Sequence, residues 1–299
     1  MKLTNQQKQT KTYFEKFANE WNTKAKRKSK KIINVIKQRN DYVEKISKKY
    51  ILKNNGKTLD VGCGSGELVI SLLKNGFDAY GIDFSNSMIK KGKAQAKRNK
   101  FEQSRFFCDS FFDFKFKNKY DLISANGFIE YISEKKFDDF LEISSNLLTK
   151  NGILVVNSRN RLFNIFSFND FTKAEMKNKN TNNLIEECIE FNNNKNFKEL
   201  LKNKNKSKIN NNLKKHSKTG IDVDTRFQYT PYQLIEKLND HNFTPIDIQP
   251  IHIHVFTTGA RTIYSDFHNE ISNHIQSQNT DNFRLIPQSS SFMIVAKRK

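Results

Sequence analysis

Leu59-Asp60-Val61-Gly62-Cys63-Gly64-Ser65-Gly66 ends one short apolar run and opens an amphipathic one, ELVISLLKNG. Three glycines at alternate positions remove the Cβ atoms from a tight turn. The backbone can then approach a ligand closely and point N–H groups at it from a helix N-terminus. The spacing GxGxG behind an aspartate differs from the GxGxxG of dinucleotide folds.

Outward from this loop the same alternation continues. TLDVG, FDAYGID, SRFFCD, YDLISAN and ILVVNS read as strands, and ELVISLLKNG, SNSMIKKGKAQAKRN and KKFDDFLEISSNLLTKNG as helices. Short apolar strands between helices of ten residues or more predict an α/β domain, a parallel sheet covered on both faces. Asn75-Gly76 and Asn151-Gly152 are placed to close helices. Residues 5–50 carry Phe14, Phe17, Trp21, Val35, Ile36, Val43 and Ile46 at three- and four-residue steps, which predicts two or three helices. After residue 160 the rhythm breaks into a Lys/Asn-rich stretch with short helices expected near 183–191 and 197–203. Then follow the strand-like DVDTRFQYT, a helix over 231–239, the run FTPIDIQPIHIHVF, a polar loop and the strand SFMIVAK. Four segments result: N-terminal helices (1–50), a ligand-binding core (51–160), an insertion (161–220) and completion of the sheet (221–299).

The 299 residues, 36% of them apolar, suffice for one large domain or two small ones. Cys63, Cys108 and Cys188 have neither disulfide-framework nor zinc-site spacing, and no metal is expected. No stretch is long and apolar enough to span a membrane, and MKLTNQQKQTKTYF has no apolar leader core, so the cytoplasm is the expected location. The net charge of +21 is concentrated outside the core, with 16 basic against 4 acidic residues in 1–56. Nucleic acid is therefore kept as an alternative partner, although Lys and Asn are abundant everywhere in the chain.

The glycine loop resembles motif I, DxGxGxG, of class I S-adenosylmethionine-dependent methyltransferases. The resemblance assigns Asp60, Gly62, Cys63, Gly64 and Gly66 to the cofactor loop. Asp83, seventeen residues past Gly66 at the end of the next strand, has two oxygens that can accept both ribose hydroxyls. In the family's pattern Phe84 and Met88 lie against the adenine, Asp109 (followed by Ser110) near its exocyclic amine, and Asn126 at the methionine end. TYFEKFANEWN resembles the N-terminal helix of ubiquinone-biosynthesis-type O-methyltransferases, the broad Methyltransf-11/12 group, which covers the cofactor. Arg39 then corresponds to an arginine reaching the cofactor carboxylate. The resemblance implies a Rossmann-like methyltransferase sheet of seven strands whose last hairpin is antiparallel. It also implies S-adenosyl-L-methionine as cofactor and in-line methyl transfer to a small-molecule acceptor, most simply an oxygen.

The acceptor side is less determined. Glu130, after the fourth strand, is a candidate general base. Tyr131 stands where relatives often carry histidine, and Arg159 and Arg161 could meet an anionic substrate group or be solvated loop charges. His252 and His254 alternate along a strand and share a face, which suits a base, two metal ligands lacking a third, or half-exposed strand positions. Cys63 reads as a small packed residue rather than a nucleophile. The phenylalanines of FFCDSFFDFKF read as core, residues 195–218 as a solvated or disordered arm, and the insertion with the N-terminal helices as a lid. The alternatives are an RNA or DNA methyltransferase, although ANGF replaces the (N/D/S)PP(Y/F) of DNA-adenine enzymes, and a non-catalytic cofactor-binding module. Oligomeric state is not legible.

Overall fold

The short apolar runs assemble into one mixed sheet, and the amphipathic runs cover both of its faces. A computed structural model describes residues 4–27, 31–209, 227–278 and 283–299. Helices α1 (Asn5–Ala25) and α2 (Val35–Tyr50) precede β1 (Lys57–Val61), α3 (Glu67–Lys74), β2 (Asp78–Asp83), α4 (Asn86–Arg98), β3 (Phe106–Cys108) and β4 (Tyr120–Ala125). Next come α5 (Glu134–Leu147), β5 (Leu148–Arg159), α6 (Phe163–Ser167), α7 (Asp170–Lys177), α8 (Thr181–Asn193) and α9 (Phe197–Asn203). The chain is completed by α10 (Pro231–Asp240), β6 (Phe243–Ile253), α11 (Thr258–Ile263), α12 (Ser265–Gln278) and β7 (Ser289–Arg298).

Local chemistry fixes these ends. The hydroxyl of Thr4 caps α1 and Gln7 returns the bond, a reciprocal capping box that recurs between Thr230 and Gln233 at α10. Helix α3 ends as Asn75-Gly76 requires: Gly76 takes φ +84°, and Phe77 N donates to Leu72 O at 3.1 Å. At the other Asn-Gly pair it is Asn151 that adopts the left-handed conformation (φ +64°), inside β5 rather than at a helix end.

The seven strands run in the order β3-β2-β1-β4-β5-β7-β6, with β7 antiparallel to both neighbours and the rest parallel. This is the sheet the motif resemblance implied. Alternation along β5 sends Leu154 and Val156 to one face, where Phe137, Phe140 and Leu141 of α5 and the helices α8–α10 pack. Val155 points to the other, against Val43 and Ile46 of α2 and Leu68, Val69 and Leu72 of α3. Because β2 and β4 flank β1, the chain leaves β1 in opposite directions, opening a crevice at the carboxyl ends of the strands.

Two expectations need correction. The short helices expected near 183–191 and 197–203 form as α8 and α9, but the stretch from 195 read as a solvated arm is, in its described part, built into the core with them: Leu184, Phe191 and Leu200 are fully buried, and Phe197 and Ile209 nearly so. The rest of that arm, and the first half of DVDTRFQYT, lie outside the described residues. The polar loop expected after β6 contains the helices α11 and α12.

Candidate functional site

A cleft of about 280 Å³ opens at that crevice. Its floor is the turn between β1 and α3. Gly62 N and Cys63 N donate to Ile82 O (2.8 and 3.1 Å), and Gly64 N donates to Asp83 Oδ2 (3.0 Å). All three glycines of the turn have positive φ, but their roles differ. At Gly64 an added Cβ would meet nothing within 4 Å, so this backbone stands open to the cleft. At Gly66 a Cβ would strike Phe106 at 2.3 Å, and this glycine serves the close packing of α3 rather than lining the cleft. Gly81 likewise leaves room for Cys63, whose thiol burial pushes far above its usual range and makes unreactive.

The floor gathers three carboxyl groups. Asp60 is buried and accepts from Ser124 Oγ at 2.8 Å, while burial pushes its carboxyl up to about 7 against that hydrogen bond. Asp83 accepts from Gly64 N and, through Oδ1, from Ser85 N at 2.8 Å. Burial nevertheless lifts it to about 6. Each Asp83 oxygen retains a second lone pair for a hydroxyl. Glu67, at the first position of α3, adds a third carboxylate, held by Ser65 Oγ (2.8 Å) and Gln95 Nε2 (3.0 Å). Sequence reasoning passed over it, although an acid directly after the third glycine was the available signal.

The walls carry the remaining residues of the motif reading. Phe84, Met88, Asp109, Ser110 and Asn126 line the cleft with Asp60, Gly62, Cys63, Gly64 and Asp83, and Arg39, Glu130 and Tyr131 border it. Arg39 Nη1 and Glu130 Oε1 flank Gly127, 3.0 and 3.8 Å from where its Cβ would stand. Glu130 is buried. The roof is α1, with Gln7, Thr10, Phe14 and Trp21 directed into the cleft at helical spacing. Phe14 meets the ring of Tyr131 edge-on at 5.6 Å. Glu15 pins this helix to the start of α4 by accepting from Asn86 N (2.6 Å), Ser87 N (3.1 Å) and Ser87 Oγ. Those three bonds outweigh burial and hold the Glu15 carboxyl below its usual range. The roof residues Gln7, Thr10 and Glu15 were not singled out from the sequence, because nothing local relates α1 to α4.

The structure places the other candidates elsewhere. Arg161 is not open to a substrate: it is buried and pairs with Glu175 through Nε–Oε1 (2.8 Å) and Nη2–Oε2 (3.0 Å). Asn164 and Asn180 complete that buried cluster around Glu175. The Arg159 guanidinium lies 6.0 Å over the ring of Phe171. His252, on β6, and His254, one residue beyond its end, lie outside the cleft. Among the described residues of 161–209 none lines the cleft, whereas residues of both N-terminal helices do.

A profile described as a methyltransferase domain matches residues 52–219, and the chain belongs to this family. Its fold is that of class I S-adenosylmethionine-dependent methyltransferases. A ubiquinone biosynthesis O-methyltransferase of Pelagibacter ubique is 34% identical over 114 residues, 38% of this chain and 46% of that protein. The chain spans about half the length, or less, of the curated relatives it matches. Magnesium protoporphyrin IX methyltransferase of Synechocystis PCC 6803, with bound S-adenosylmethionine, superposes at TM-score 0.57 with 12% identity over all of both chains. The [4+2]-cyclase SpnF superposes at 0.56 with 14% identity, covering 99% of this chain and 96% of that one. The same fold thus serves different chemistries.

The residues present fit S-adenosylmethionine. The cofactor carries a sulfonium and an ammonium, and the cleft offers them a carboxylate floor. The open backbone at Gly64 leaves room for the nucleoside. Asn126 Oδ1 and Trp21 Nε1, buried in the cleft, have no hydrogen-bond partner among the described residues, which gives a polar ligand one acceptor and one donor.

Proposed function

We propose that the chain binds S-adenosylmethionine in this cleft and methylates a small hydroxylated molecule, with Glu130 as general base. The carrying observation is a buried carboxylate, Glu130, at the end of a cleft roofed by a pinned helix and walled by Phe14, Phe112, Phe128 and Tyr131. Such an enclosure suits a compact, partly aromatic acceptor better than a polynucleotide. Bound S-adenosylmethionine supplies a methyl group on an activated sulfonium leaving group.

The chain's own residues then have three tasks. Asp83 and the Gly64 backbone fix the nucleoside end, and Asn126 and Arg39 the amino-acid end, which sets the direction of approach. The aromatic wall and α1 exclude water. Glu130 takes up the proton of the acceptor hydroxyl as its oxygen bonds to carbon. His252 and His254 have no part in this reading, and Arg161 serves the fold.

The test uses methyl-labelled cofactor with a panel of phenols, catechols, hydroxy acids and RNA. Transfer to a small hydroxylated acceptor, lowered at least tenfold by Glu130→Gln with cofactor affinity retained, is expected. Transfer to RNA alone, or cofactor binding without turnover across the panel, overturns the reading.

A further inference from the structure

His252, on β6, and His254, just past its end, are given a third histidine by the fold. Helix α12 returns against β6, and its His268 is completely buried. One potential ligand nitrogen from each of His252, His254 and His268 lies within 4.8 Å of the others. The rings of His252 and His254 have centroids 4.1 Å apart, and those of His254 and His268 5.3 Å. His254 Nε2 and both ring nitrogens of His268 are buried with no hydrogen-bond partner among the described residues. A buried imidazole with neither nitrogen satisfied costs folding free energy, and such a group calls for a ligand.

The surroundings fit that demand. Neutral imidazole is the form that ligates metals, and among the described residues these rings are packed together away from any carboxylate that would favour their charged form. Ser290 Oγ lies 3.0 Å from His252 Nδ1, so the hydroxyl can accept from Nδ1–H and leave Nε2 free, as partners of ligating histidines commonly do. His252 itself is held at φ +57°, its N–H donating to Gln38 Oε1 at 2.9 Å. Residues fixed in this sparsely populated region gather at functional sites.

We propose that His252, His254 and His268 form a binding site for a divalent transition metal of the zinc class. Imidazole-only ligation favours zinc, copper, nickel or cobalt over magnesium and calcium, which require oxygen ligands. Zinc bonds of about 2.0–2.1 Å in a tetrahedron bring ligand nitrogens to roughly 3.4 Å, so the three rings draw together on binding. Three ligands leave the fourth position open. The opposing charge is Arg261, whose Nη1 lies 3.5 Å from His254 Nδ1, and the charges of Arg39 and Arg159 also act on His252. Arg261 is half-exposed on α11 and can turn toward solvent. Bound there, the ion would tie α12 to the end of β6.

The site is independent of methyl transfer and is read by metal binding alone. Chelator-stripped full-length protein is titrated with cobalt(II), followed by the visible ligand-field bands of a low-coordinate nitrogen site, and zinc is added to displace it. One equivalent of cobalt is expected, with a rise in melting temperature on adding zinc. His268→Asn should abolish both signals, whereas His274→Asn, on an exposed residue of the same helix, should leave them unchanged. Arg261→Gln should tighten binding several-fold by removing the facing charge. Absence of cobalt bands in the wild-type protein, or equal binding by His268→Asn, overturns the proposal. Should His268→Asn fail to fold, an Arg261→Gln affinity no tighter than wild type overturns it.

Discussion

Replacing Asp83 by asparagine separates a ligand-binding role from a structural one. Burial holds the carboxyl at about 6 against an ordinary value of 3.8. Ionised at pH 8, it therefore costs the ligand-free protein about 3 kcal/mol, with its bonds from Gly64 N and Ser85 N already included. The sign follows from the raised value: stability declines as pH rises from about 4, and the loss is complete above about 6. Asparagine removes that charge but offers one acceptor oxygen where two N–H groups need one each, a mismatch of about 1–3 kcal/mol. The two effects nearly cancel. The ligand-free variant should melt at pH 8 within a few degrees of wild type or slightly higher, and its pH-dependent loss of stability between 4 and 6 should shrink. Cofactor affinity should behave differently, because a charged acceptor for the ribose hydroxyls is lost, about 1.5–3 kcal/mol or roughly 10- to 150-fold. Calorimetric titration with S-adenosylhomocysteine and scanning calorimetry on the same samples measure both. A folded variant that binds within twofold of wild type would refute the ribose contact. A drop of more than about 8 °C would instead make Asp83 a strut of the loop.

Three further outcomes follow from the site. Binding of S-adenosylmethionine should tighten as pH rises from 5 to 8, because Asp60 (about 7) and Asp83 (about 6) gain the charge that a cationic ligand favours. An affinity that is flat or falling over this range in isothermal titration would contradict the carboxylate floor. Gly64→Val should fold, since a Cβ there meets nothing within 4 Å, with about 1–2 kcal/mol of strain from φ +52°. It should bind no cofactor in equilibrium dialysis, and retained binding would show the loop is not the cradle. Arg161→Ala should lower stability by about 3–5 kcal/mol, because the buried Glu175 loses its cationic partner, while leaving cofactor affinity intact below the melting transition. Unchanged melting with impaired acceptor binding would return Arg161 to the substrate site.

What could be read from the sequence was decided locally. The glycine turn, its following helix and the strand-end Asp83 are each defined within a few residues, and their order carried the sheet. The failures are non-local. That Gly66 spares Phe106 rather than touching a ligand depends on β3, forty residues away. Arg161 looks like a loop cation until Glu175 is folded beside it. Leu184, Phe191, Phe197 and Leu200 fall in the two short helices that were expected, but their Lys/Asn-rich surroundings dilute the apolar signal and hid that these helices pack into the core. In α12, Phe267, Ile271 and Ile275 stand four residues apart among Ser, Asn and Gln, too sparse a pattern to outweigh the polar composition. Overlooking that helix also concealed the third histidine.

The strand order constrains how the chain can be made. β7 is synthesised after every other strand, yet it fills the slot between β5 and β6. Until residues 289–298 leave the ribosome, β5 presents an unpaired edge and β6 has no sheet to join. A nascent or prematurely terminated chain therefore exposes two sticky strand borders, and its yield in the cell should depend on chaperones guarding that interval.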